Sequence, residues 1–223
     1  MAIEFIETKT NWKFSRREIL IGFCALLAVS VGLFFPQKAY GETFWLSLFL
    51  FAVFPALAAG YLLKEPLKNF GLSRGELKTG IIGAAIVMVI FIFVNYYLLF
   101  HTKYGGELSI ARGIANSFAA FFLFEVFIVL PLHFFWEFFF RGFVQMGLEK
   151  KLGIFSLLLA AILQTSLSFR SSWIAIALIF LSSLAAGAIV RQSRSIFYSA
   201  VALWIISISL DIMIIRIVRQ LAG

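Results

Sequence analysis

Histidine is nearly absent from this chain. There are two in 223 residues, His101 and His133, and none follows position 133. Chemistry that needs a pair of imidazoles on later segments is therefore excluded. Cysteine occurs once, at Cys24, so no internal disulfide and no thiolate metal cluster can form. Cys24 reads as a small apolar residue inside a helix. One His and one Glu close together, with no suitable thiol, do not make the three converging ligands of a zinc site. No metal and no other cofactor is expected. Charge is scarce as well: 13% of residues are charged, with 19 bases and 11 acids. A net charge of +8 suits nucleic acid in other settings. Here the bases sit beside apolar runs rather than on a polar face, so a lipid bilayer is the expected partner and nucleic acid is not.

What the chain has in quantity is apolar surface. It is 62% hydrophobic and contains 28 Phe, which places it among integral membrane proteins. Met1 to Lys13 is polar, carries Glu4 and Glu7, and precedes no convincing cleavage site, so residues 1–17 are expected to stay as a cytoplasmic N-terminus. Crossing ~30 Å of hydrocarbon takes ~20 residues. Runs of that kind lie at Glu18–Phe35, Phe44–Leu63, Gly80–Phe100, Phe118–Phe140, Ile154–Phe169, Trp173–Val190 and Ile196–Ile215, the fifth being short. They are continuous rather than alternating, which favours helices over a β-barrel. The expectation is an all-α, polytopic transmembrane helical bundle of about seven spans (six to eight), forming one domain over 1–223. Neither a soluble domain nor an obvious inverted repeat is present.

Seven spans sort the charges. Lys9, Lys13, Arg16, Arg17, Lys64, Lys68, Arg74, Lys78, Lys150, Lys151, Arg191 and Arg194 fall on one side. Lys38, Lys103, Arg112, Arg170, Arg216 and Arg219 fall on the other. The positive-inside rule then puts the N-terminus in the cytoplasm of a cell-membrane protein and the C-terminus outside. The Lys64–Lys78 loop is expected at the cytoplasmic interface, and His101–Gly113, with Gly105 and Gly106, as an external turn.

The polar residues inside these runs are few. His133, Glu137 and Arg141 are spaced i, i+4, i+8 within HFFWEFFFRG, and on a helix they share a face. An ionised side chain alone at the membrane centre costs about 2.5–3.5 kcal/mol on insertion scales. Glu137 and Arg141 must therefore pair, line a polar cavity, or do both. Two readings stand: an internal ion pair that fixes packing, and a catalytic or binding cavity, which is the favoured one. The order allows a His–Glu–Arg ladder with Glu137 in the middle. Gln164, Thr165, Ser166 and Ser168 give the short fifth run a polar stripe. Asp211 can meet Arg141 or Arg216, whereas Glu125, Asn95 and Asn116 read as packing residues. Ser182, Ser183, Ala185, Ala186 and Gly187 form a small-residue patch suited to close helix contact. Ile114–Gly147 as one straight helix would reach ~50 Å. Pro131 is expected to kink or break it, either adjusting tilt or opening a cavity beside Glu137.

WEFFFRGF, followed by Gly147-Leu148-Glu149-Lys150-Lys151-Leu152-Gly153, resembles the first motif of the CPBP (Abi) intramembrane proteases, the family of the CAAX prenyl endopeptidases and bacteriocin-processing proteins. That motif is typically EExxxR, often continuing as FRG. Trp136 stands at its first Glu, Glu137 at its second and Arg141 at its Arg. The resemblance extends over 64–223, and Arg191–Trp204 is similar to the family's last helix. It implies a site in which Glu and His activate water, while a further His and an Asn polarise the peptide carbonyl. The counterpart of the second motif, FxxxH, is Ser168 to Ser172, with Ser at both signature positions. The counterpart of the third, HxxxN, is Leu203 to Ser207, with neither residue. The implied site is therefore degenerate. Glu137, Arg141 and His133 are its catalytic candidates, and Gln164, Ser168, Ser172, Ser207 and Asp211 line its cavity. The leading expectation is a CPBP-like protein that binds a membrane peptide or partner protein. The alternatives are an active glutamic endopeptidase with Glu137 as general base, and a transporter or channel subunit.

Overall fold

The computed structural model describes residues 14–35, 40–102, 114 and 117–222. The expectations for 1–13, for Lys38, for Asn116 and for the 103–113 turn with Lys103 and Arg112 lie outside the described residues, as does the side chain of Arg219. Among the described residues, seven helical segments carry the fold: α1 (Arg16–Phe34), α2 (Gly41–Leu63), α3 (Leu77–His101), α4 (Phe118–Leu152), α5 (Phe155–Ser166), α6 (Trp173–Ser193) and α7 (Phe197–Ala222). Six are long and apolar enough to cross a membrane, and α5 is shorter. The chain is a multi-pass membrane protein folded as a polytopic helical bundle.

Backbone contacts show which helix ends meet. The Glu76 N–H before α3 donates to Ser193 O at the end of α6 at 2.7 Å, and Ile196 N–H before α7 donates to Gly71 O at 3.1 Å. Tyr198 Oη donates to Arg74 O at 2.7 Å. Arg17 at the start of α1 reaches Glu65 after α2 and the Gly147 carbonyl late in α4. Glu149 pairs with Arg191 and Arg194 at the end of α6. So the starts of α1, α3 and α7 and the ends of α2, α4 and α6 share one face. This is the side to which the charge pattern assigned most of the bases.

α4 and α6 run parallel. Arg141 contacts Ser183 and Gln145 contacts Gly187, two pairs each 42 residues apart. The chain must therefore return between them, and α5 with the turns after it makes that return. Twelve residues give α5 only ~18 Å of rise, so it reaches part of the way and ends in the polar stretch at Gln164–Ser168. Of the kink or break expected at Pro131, the break does not occur: α4 runs through the proline as one helix of 35 residues. Just before the proline, Glu125–Val129 winds with wide i→i+5 turns, which changes the carbonyl partners where the ring removes an N–H. A second wide stretch, Phe138–Met146, carries Arg141 and Gln145.

The core is aromatic. Phe51 of α2 packs on Trp136, Phe139 and Phe140 of α4 with ring centroids 5.5, 5.0 and 5.5 Å apart. Small residues of α1, Ala25 and Ala28, let that helix approach the same cluster. The outer face of α3 carries exposed Ile86, Val89 and Phe93, as a lipid-facing helix should.

Arg17 clamps three helices. Its Nε lies 2.5 Å from Glu65 Oε1 and its Nη2 lies 3.3 Å from Oε2. The Arg17 hydrogen bonds hold the Glu65 carboxyl below the usual carboxylate range against the opposing effect of burial, with further help from the Arg17 charge, Asn69 and Lys150. A carboxyl depressed in the folded state adds stability above its unfolded pKa and loses it as pH falls through the folded value. Thermal stability in detergent should be level near neutrality and fall below about pH 5. Glu65→Gln should flatten that fall at a cost of about 1 kcal/mol or less at pH 7, because the pair is partly exposed. Superimposable pH profiles for the two proteins would remove the clamp from the stability of the bundle.

Candidate functional site

Glu137 lies on α4 at the point where its winding widens, and it is fully buried. Its Oε2 accepts from Ser199 Oγ at 2.5 Å. Ser199 sits in the first turn of α7, so the carboxyl is placed at that helix's N-terminal end, where backbone N–H groups favour an anion. Glu137 Oε1 has no hydrogen bond among the described residues and lies 3.7 Å from Arg141 Nε. The two form a close charge pair, with no shared hydrogen bond.

Arg141 is also fully buried, the largest such side chain among the described residues. Its Nη2 donates to Gln164 Oε1 at 2.5 Å and to Ser183 Oγ at 2.6 Å. Ser183 donates to the same Gln164 oxygen at 2.9 Å. One turn further on, Gln145 Nε2 donates to Gly187 O at 2.8 Å. The guanidinium therefore ties α4 to α5 and α6, while its Nε and Nη1 have no hydrogen-bond partner among the described residues. This arrangement fixes Gln164 and leaves part of the charge of Arg141 directed at Glu137.

Beside Glu137 lies a cavity of about 330 Å³. Thr43, His133, Trp136, Gln164, Ser168 and Ser182 line it together with Glu137, against apolar walls from Leu132, Ile179 and Leu203. Trp136 is held by donating its Nε1–H to Ser47 Oγ of α2 at 3.2 Å. A pocket with mostly apolar walls and a few convergent polar groups is the form of a small binding site. It suits an extended apolar segment with one or two hydrogen-bonding groups better than a free ion.

The candidate residues divide. His133, Glu137, Gln164 and Ser168 face one cavity. Arg141 lies behind that wall and touches it through Glu137 and Gln164. No His–Glu–Arg ladder forms: His133, half-buried, makes no hydrogen bond among the described residues, and Ser199 occupies the place expected for it on Glu137. Ser172 caps α6, accepting from Ala175 N at 3.4 Å, and does not line the cavity. Ser207, half-buried on α7, is also outside it. Asp211 faces Glu125 rather than Arg141 or Arg216. Ser183 and Ser199, which complete the polar network, were not singled out as polar partners by the sequence. The signal for Ser183 was its spacing, four residues before Gly187 as Arg141 is four before Gln145.

No protein-family model matches the chain, and no curated protein or solved structure matches it.

Proposed function

We propose that this is a cell-membrane protein, N-terminus in the cytoplasm, that resembles the CPBP proteases and uses the Glu137 cavity to bind a membrane peptide or partner protein. The observation that carries the reading is which residues line the cavity. Glu137 faces it together with Trp136, Ser168 and Leu203, the residues that the resemblance would set at signature positions of the three family motifs. Leucine at the third-motif histidine gives no donor for a carbonyl oxygen, so the oxyanion support that acyl transfer relies on is missing from that wall. Shape and hydrogen bonding are left for holding a segment, with Glu137, Gln164 and Ser168 as polar contacts.

The test uses the purified full chain with fluorescent prenylated and transmembrane peptides. Saturable binding without cleavage products by mass spectrometry is expected. Glu137→Gln should weaken binding about tenfold, or ~1.4 kcal/mol. Specific cleavage abolished by Glu137→Gln would overturn the binding reading. It would favour an endopeptidase instead, a reading supported by His133 and Glu137 lining one cavity, where either can serve as general base.

A further inference from the structure

We infer that a second pocket, at the junction of α1 and α2, binds the phosphate-bearing headgroup of an anionic lipid. Its volume is about 440 Å³, and Arg16, Arg17, Tyr61, Leu62, Lys64 and Glu65 line it. It stands at the basic end of the bundle, independent of the Glu137 cavity and of the function proposed for it.

The charge balance inside the pocket is uneven. Glu65 is engaged by Arg17, and nearby Glu18 accepts from the Ser15 backbone N–H at 2.5 Å. Arg16 and Lys64 have no ion-pair partner among the described residues. Lys150 stands close enough to act on Glu65, so the surrounding field is positive as well. A phosphate placed between Arg16 and Lys64 gains charge-assisted hydrogen bonds, including the two-pronged geometry that a guanidinium offers.

The pocket also has a lipid-facing rim. Tyr61 and Leu62, in the last turn of α2, are 77% and 55% exposed. An acyl chain can lie along them while the headgroup sits among the bases, whereas a soluble phosphate gains nothing from that rim. Lys64 ends α2 in the left-handed conformation, with φ of 54°. A cation suits that helix C-terminus, and this position brings the Lys64 charge to the edge of the pocket. Basic pockets between transmembrane helices at the membrane surface recognise acidic headgroups in this way.

The full chain is reconstituted in nanodiscs containing phosphatidylcholine and phosphatidylglycerol, extracted gently, and weighed with its retained lipids by native mass spectrometry. The expected result is preferential retention of phosphatidylglycerol. The preference should fall at least fivefold in Arg16→Gln/Lys64→Gln, stay unchanged in Lys78→Gln, and weaken as salt is raised. A double variant that lost phosphatidylcholine equally, or melted below the parent, would be replaced by Lys64→Gln alone, for which a smaller loss in the same direction is expected. Equal retention of both lipids by the parent chain would overturn the inference. So would a preference unaffected by these substitutions. Displacement of phosphatidylglycerol by millimolar inorganic phosphate would assign the pocket to a soluble anion and overturn the lipid assignment.

Discussion

Replacing Arg141 by Met should destabilise the bundle by about 3–5 kcal/mol, the range for removing one partner of a buried ion pair. The mechanism is specific. Without the guanidinium, Gln164 and Ser183 still bond to each other at 2.9 Å, so that part of the network partly satisfies itself. Glu137 has no such fallback, since among the described residues Ser199 is its one hydrogen-bond partner and Oε1 has none. Most of the loss should therefore come from a buried carboxyl left without its counter-charge. Glu137→Gln in the Arg141→Met background should then restore a large part of the loss. The double-mutant cycle should show coupling of at least ~1 kcal/mol, read from unfolding in mixed micelles followed by helical circular dichroism. Strictly additive losses would mean that the 3.7 Å approach of Arg141 Nε to Glu137 carries no energy and that Arg141 acts through Gln164 and Ser183 alone.

The same network separates what was legible in the sequence from what was not. Continuous apolar runs located the segments, because a helix facing lipid needs little beyond length and hydrophobicity. On the base-rich face the charge pattern grouped the same helix ends that the contacts join, because bases at a membrane surface have few other places to go. Glu137 and Arg141 were conspicuous for the converse reason, being costly where they stand. Their partners were not, because pairing across helices depends on register. α7 runs antiparallel to α4, and Ser199 meets Glu137 while Asp211 meets Glu125. The spacing is twelve residues on both helices. Once one pair is known the other follows, yet neither can be read from its own helix. His133 shows the opposite case: its i, i+4 spacing to Glu137 was visible, but a serine from another helix reaches the carboxyl first. Ser207, eight residues past Ser199, falls outside the cavity that Leu203 lines.

Gly142→Ala should be the most damaging single-methyl change in the motif. A Cβ at Gly142 would lie 2.3 Å from the Phe70 carbonyl oxygen. The obstacle is backbone, so no rotamer change relieves it. Phe70 is itself fully buried, its ring stacked on Phe143 at 5.7 Å, and the next residue, Gly71, is held by the Ile196 N–H. Moving that turn away would disturb both contacts and the base of α7, which positions Ser199 on Glu137. Overpacking of this kind costs about 1–3 kcal/mol, and the upper end is expected because neither side can retreat. The glycine after the arginine thus exists so that the 67–71 turn can seat against α4, one residue from the buried charge pair. Gly22→Ala in α1 is the matched control. Its Cβ would meet nothing within 4 Å, and Ala is favoured over Gly inside a helix by roughly 0.5–1 kcal/mol, so its melting temperature should hold or rise. Equal melting temperatures for the two variants in the same detergent would show that the Phe70 turn yields freely and that Gly142 is dispensable for its seating.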